Sequence, residues 1–185
     1  MDSLKVIPQV FFDLIGRVVP GAVGIVTWLL LTGTTWESWL SVALGKSLAT
    51  DSSVVAILVF LATAYVTGQL LSPVAKLIQR IGEFFSPEPK AKDYDLLRLK
   101  SPEVGGYCAK IRAEFTMHNG LAAVFLIGAF AYPLRGQDWR WSVLIGLILI
   151  GLLEAFRGRT TRDTFNKTVN NFALALESRI NSIKD

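Results

Sequence analysis

Residues 52–75 read SSVVAILVFLATAYVTGQLLSPVA, an unbroken run without a charged side chain. A helix rises about 1.5 Å per residue and must cover roughly 30 Å of hydrocarbon, so about 20 mainly apolar positions suffice for one crossing. The run therefore predicts a membrane-spanning helix. Three other stretches meet the same condition. Residues 18–36 carry no charge, 115–134 contain only His118 and Asn119 as strongly polar groups, and 139–156 keep Arg140 and Glu154 near their two edges. An arginine so placed can extend its guanidinium to the headgroups.

Composition agrees with four crossings. Hydrophobic residues make up 51% of the 185 and charged residues 18%, with mean hydropathy +0.43, more apolar surface than a soluble domain of this size can hide. A single cysteine, Cys108, excludes an internal disulfide, and one histidine, His118, offers no zinc-ligand spacing. No metal or other cofactor is expected. Neither a phosphate-binding loop, a dinucleotide fingerprint, a nucleophile elbow nor a carboxylate pair is visible, so the chain does not read as an enzyme.

The charges choose an orientation. With the amino terminus inside, sixteen of the 19 basic residues fall on the cytoplasmic side, and only Lys46, Arg135 and Arg140 lie outside. Trp28, Trp36, Trp39, Trp139 and Trp141 independently gather near the outer ends of spans one and four, where an indole buries its ring and still donates its N–H. Both signals place the termini in the cytoplasm of a bacterial-type inner membrane. A cleavable signal peptide is the competing reading of the first 33 residues, and Asp2 and Asp13 in so long a leader argue against it.

The flanks read as helices too. Leu4, Ile7, Phe11, Ile15 and Val18 recur every three or four positions opposite Asp2, Lys5, Gln9 and Asp13, which makes residues 1–17 an amphipathic helix. It either lies along the inner interface or packs on the cytoplasmic helices, with Pro20-Gly21 as a start or bend for span one. Span two continues its apolar stripe through Val74, Leu77, Ile78, Ile81, Phe84 and Phe85 until Ser86-Pro87-Glu88-Pro89 stops it. Ser101-Pro102-Glu103 supplies an N-cap, a first-turn proline and an acid suited to the helix dipole, so a helix starts near Pro102 and enters span three. In the tail, Phe165, Val169, Phe172, Leu176, Ile180 and Ile183 approach a heptad seam. That seam fits a homo-oligomer, or a helix docked on its own subunit. No internal repeat or low-complexity segment is visible.

The expected architecture is thus all-α: an integral membrane protein with four transmembrane helices, an N-terminal amphipathic helix over 1–17, and a cytoplasmic C-terminal helix over 157–185. The membrane domain covers 18–156, with a cytoplasmic insertion at 76–112.

Several residues invite a function, each beside a plainer reading. Ala64, Gly68 and Ser72 sit one turn apart, a spacing that lets helices approach closely in lipid. Beside them Thr63, Thr67 and Gln69 either face a protein neighbour or line a pore. Glu154 either pairs with Arg157 or joins a ring of acids around a cation pathway. Lys90, Lys92, Arg98, Lys100, Lys110 and Arg112, with Arg157, Arg159 and Arg162 below span four, form a basic cytoplasmic surface. Such a surface meets anionic membrane lipid and enforces topology, or binds a polyanion such as a nucleotide or single-stranded nucleic acid, with Tyr94 or Tyr107 offering a stacking face.

Arg112 and His118 make an R-x5-H spacing that resembles the short motif of HEPN ribonucleases, over seven residues only. More broadly, Phe11-Phe12-Asp13-Leu14-Ile15-Gly16-Arg17 leading to Pro20-Gly21, together with Lys110-Ile111-Arg112-Ala113-Glu114-Phe115, resembles small membrane effectors of bacterial anti-phage defence, in particular the membrane subunit of the Hailong system. The resemblance implies an oligomeric, channel-like effector held closed by a nucleic-acid product of a partner nucleotidyltransferase, and released to depolarise the membrane during infection. A membrane anchor or scaffold for a cytoplasmic partner, or a HEPN-like membrane ribonuclease, are the alternatives from other classes.

Overall fold

A computed structural model describes residues 3–44, 53–85, 94, 100–135 and 140–184. These form α1 (Ser3–Thr32), α2 (Trp36–Leu44), α3 (Ser53–Phe85), α4 (Pro102–Ala131), a 3-10 turn (Pro133–Arg135) and α5 (Trp141–Lys184). Among the described residues there is no strand. Four helices are long and apolar enough to cross a membrane, over Leu14–Thr32, Val54–Phe84, Pro102–Ala131 and Trp141–Ala175. The chain is a multi-pass, all-helical membrane protein by this measure.

One local signal acts where the sequence places it, while the stop expected at residues 86–89 lies outside the described residues. α3 runs through Phe85 and α4 begins at Pro102, with Ser101 extended ahead of it. The Ser101 hydroxyl makes no cap; its carbonyl instead accepts the Gly105 N–H at 2.9 Å. Other boundaries differ from the expectation. The first apolar run does not stay helical to Trp36, because Gly33 turns to φ 67°, a conformation only glycine enters without strain, and α1 stops at Thr32. Trp36 instead opens the unanticipated short helix α2, where its ring stacks on Trp39 at 5.0 Å and meets the edge of Phe60 at 5.2 Å. Nor does the chain break at Pro20 or after Phe156. The amphipathic start and span one are one helix, and so are span four and the tail.

Small residues decide the packing. At the crossing of α1 and α3 a Cβ on Gly21 would lie 1.7 Å from the Ala64 carbonyl oxygen, and one on Gly68 would lie 2.1 Å from that of Arg17. The backbones therefore touch, an approach lipid-embedded helices reach only with small residues. α4 runs parallel to α1, meeting it at Gly16–Ala113, Pro20–Gly120 and Gly24–Val124. α5 returns antiparallel along α4, with Gly151 against Leu126 and Gly158 against Asn119. α1 and α4 thus form the centre, flanked by α3 and α5, which barely meet each other.

One end of the bundle holds the basic residues of α3, α4 and α5 and is called the basic end below. Its core is Cys108, Ile111, Phe165 and Val169, with Tyr94, Val104 and Phe115 packed around them. Phe165 anchors it, edge-on to Tyr94 at 5.3 Å and to Phe115 at 5.7 Å. The first part of the tail seam is therefore buried within the chain itself, while the side chains of Leu176, Ile180 and Ile183 lie outside the described ones. Around the bundle Leu58, Leu70, Leu149 and Phe156 point outward, the arrangement hydrocarbon requires of its solutes.

Candidate functional site

Between α1, α3, α4 and α5 at the basic end opens a cavity of about 650 Å³. α1 contributes Arg17 one turn before Pro20, and α3 contributes Gln69, Ser72, Lys76 and Gln79, which repeat at helical spacing along one face. α4 adds Arg112, Thr116 and Asn119; α5 adds Arg162 and Asn166. Four cationic side chains, Arg17, Lys76, Arg112 and Arg162, share this space, and no carboxylate is among the described residues that line it. Such a cavity has the size of a small-ligand site and a positive potential sharpened by the low-dielectric wall around it.

Three of the four cations have partners elsewhere in the chain. The Arg17 guanidinium donates to Gln69 Oε1, and the Gln69 amide donates onward to the Tyr65 hydroxyl at 2.9 Å. Arg112 lies over the Tyr94 ring, 5.8 Å from its centroid, a cation–π contact that leaves the guanidinium facing the cavity. Arg162 pairs with Glu83 across the gap between α5 and α3, and the Gln79 amide donates to the same Glu83 oxygen at 3.1 Å. Asn119 and Asn166 are buried polar side chains on the cavity wall.

The residues singled out by sequence scatter over distinct places. Arg112 and Arg162 reach the cavity, whereas Lys100 and Lys110 are exposed away from it. Arg159 stands beside Gly82 on the far side of Arg162. Lys90, Lys92 and Arg98 lie outside the described residues. Thr63 and Thr67 line a separate cavity of about 310 Å³ toward the tryptophan-rich end, walled by Ile25, Trp28, Leu71 and Val124. There the Thr63 hydroxyl donates back to the Val59 carbonyl at 2.8 Å, so it is satisfied within its own helix. Gln69 belongs to the cationic cavity instead.

Glu154 is buried between α4 and α5, where it takes the His118 Nδ1 at 2.6 Å and the Arg157 guanidinium at 3.2 Å. Asn119 meets Gly158 immediately below. His118 and Arg112, six positions apart on α4, thus turn to different neighbours within the chain: one to α5, the other to Tyr94. Among the described residues no three histidine, cysteine or acidic side chains converge to hold a metal ion. Sequence reasoning missed Arg17, Lys76, Gln79, Asn119 and Asn166 as members of one site; only the recurrence of polar positions on α3 between Gln69 and Gln79 hinted at it.

Compared with models of known protein families, with curated proteins and with solved structures, the chain matches none.

Proposed function

We propose that this chain is a membrane effector of the channel type, working as a homo-oligomer and controlled from the cytoplasm by a phosphate-bearing ligand, a nucleotide or short single-stranded nucleic acid. The observation that carries the reading is the cationic cavity: four basic side chains from all four long helices face one space without a carboxylate on its lining. A ligand bridging α1, α3, α4 and α5 binds differently when those helices shift, and that difference in affinity is what lets it bias an open against a closed packing. Arg17, Lys76 and Arg162 suit the phosphates, and Arg112 with Tyr94 suits a base, stacked as aromatic and guanidinium planes stack on nucleobases. The positive-inside bias favours a cytoplasmic face for this end, in a bacterial inner membrane, where such ligands and a nucleotidyltransferase that makes them would be found. Depolarisation during phage infection is the outcome that the resemblance to defence effectors suggests.

The test reconstitutes the purified protein in liposomes holding a potassium gradient and a potential-sensitive dye. Conduction that changes on adding a 5′-phosphorylated oligonucleotide to the side bearing the basic end supports the reading. Sealed vesicles with and without oligonucleotide, and no oligonucleotide binding at low salt, refute it.

A further inference from the structure

Between α3 and α5, which meet each other little, lies a slot of about 300 Å³ behind the cationic cavity. Its two ends differ in chemistry. Following α5 from Leu152 through Ala155 and Phe156 to Arg159 and Arg162, the wall changes from apolar to cationic, and α4 repeats the gradient from Leu126 to Asn119. On α3, Ile78 and Ile81 face the apolar part while Gln79 and Glu83 belong to the polar end. A slot that is apolar along one part and holds Arg159 and Arg162 at the other has the polarity of one amphiphile, an acyl chain joined to an anionic head.

The polar end is closed by side chains rather than backbone. Arg162 and Gln79 both donate to Glu83, and these two donors line the cationic cavity as well as the slot. The carboxylate therefore holds the position that a phosphate between α3 and α5 would take, with the same charge sign and the same hydrogen-bond donors. Gly82 leaves the slot open: a Cβ there would find its nearest neighbour, the Arg159 Cδ, at 4.0 Å.

We infer that this slot binds an anionic phospholipid from the leaflet at the basic end, one acyl chain lying against Ile81, Leu126, Leu152 and Phe156 and the phosphate displacing Glu83 from Arg162. Membrane lipid is the occupant because the slot joins an apolar wall, on helices long and apolar enough to cross a membrane, to a basic end, and that apolar wall has no use for a free phosphate. The lipid headgroup would meet the cationic cavity across the Gln79–Glu83–Arg162 partition, so lipid composition would tune how readily that cavity accepts other anions.

The experiment is native mass spectrometry of the full chain released from detergent micelles doped with either phosphatidylglycerol or phosphatidylcholine. Phosphatidylglycerol adducts are expected to survive in preference to phosphatidylcholine, with the preference falling about fivefold in Arg162→Gln, as the loss of one basic side chain near a membrane surface predicts. Gly82→Leu fills the slot from a position with room for the side chain, and is expected to abolish the adducts of both lipids while the protein still elutes as one species. Equal retention of the two lipids by the unaltered protein, or undiminished adducts in Gly82→Leu, overturns the inference. Oligonucleotide binding measured on the same Gly82→Leu sample is expected to persist, which separates failure here from failure of the ligand-controlled channel.

Discussion

Replacing Gly68 with alanine tests the close crossing of α1 and α3. The added Cβ would stand 2.1 Å from the Arg17 carbonyl oxygen, and both atoms belong to helix backbones, so no side chain can rotate away. Real Cβ atoms essentially never come closer than 3.0 Å to such a neighbour, which forces α1 and α3 apart by at least about 1 Å. A gap of that size forfeits between a quarter and a half of each interhelical dispersion contact; over on the order of forty atom pairs worth about 0.1–0.2 kcal/mol each, the loss is about 1–4 kcal/mol. Overpacked cores span much the same range, about 1–3 kcal/mol. At about 2–4 °C per kcal/mol for a chain of this length, the apparent melting midpoint falls by roughly 2–16 °C. The measurement is thermal unfolding of detergent-purified protein followed by size-exclusion elution. Gly146→Ala is the control, because a Cβ there meets nothing within 4 Å and alanine favours the helix. A Gly68→Ala midpoint equal to that of Gly146→Ala would refute the backbone-contact crossing.

Glu154→Leu removes the acceptor of His118 in a site that is nearly closed, and should cost about 1–3 kcal/mol in thermal unfolding, whereas Glu154→Gln keeps a hydrogen bond and costs less. If Glu154→Gln also leaves liposome conductance unchanged, the residue is a packing acid rather than part of an ion pathway. Arg112→Gln should weaken binding of a phosphorylated oligonucleotide and flatten its salt dependence by roughly one unit of slope in a fluorescence-anisotropy titration. Thr67→Cys should react with a water-soluble thiol reagent only when the protein conducts, since its methyl packs against Gly24 in the described packing; labelling at the same rate in sealed and conducting vesicles would contradict a gated pathway there.

Local chemistry was legible in the residues. The start at Pro102 follows from that proline at the first helical position, whose effect acts within one turn and needs no partner, while the stop expected at residues 86–89 lies outside the described residues. Four crossings follow from apolar length alone. Gly33 was harder, because a glycine inside an apolar run is equally at home in a membrane helix or at its end until the chain beyond it has somewhere to go. The site was harder still. Gln69 meets Arg17 across 52 positions and His118 meets Glu154 across 36, and no periodicity within one helix specifies which face of another it will meet. Gln69 therefore read as a neighbour of Thr63 and Thr67 on a common stripe, although the helical rotation from Thr67 to Gln69 turns it into a different cavity.

What the sequence alone determined is four runs of apolar residues long enough for helices that can cross a membrane, because each covers the roughly 30 Å of hydrocarbon without a charge in its middle. It also determined that small residues recur where a close approach is possible, at Ala64, Gly68 and Ser72. Only the tertiary structure decided which helix comes that close. Gly21 and Gly68 bring α1 against α3 and so set Arg17 beside Gln69, while the packing of α4 and α5 brings Arg112 and Arg162 to the same space. The physical reason is that lipid gives helices no net hydrophobic drive to associate, so the partner is chosen by steric fit between two surfaces, a property that neither helix carries by itself.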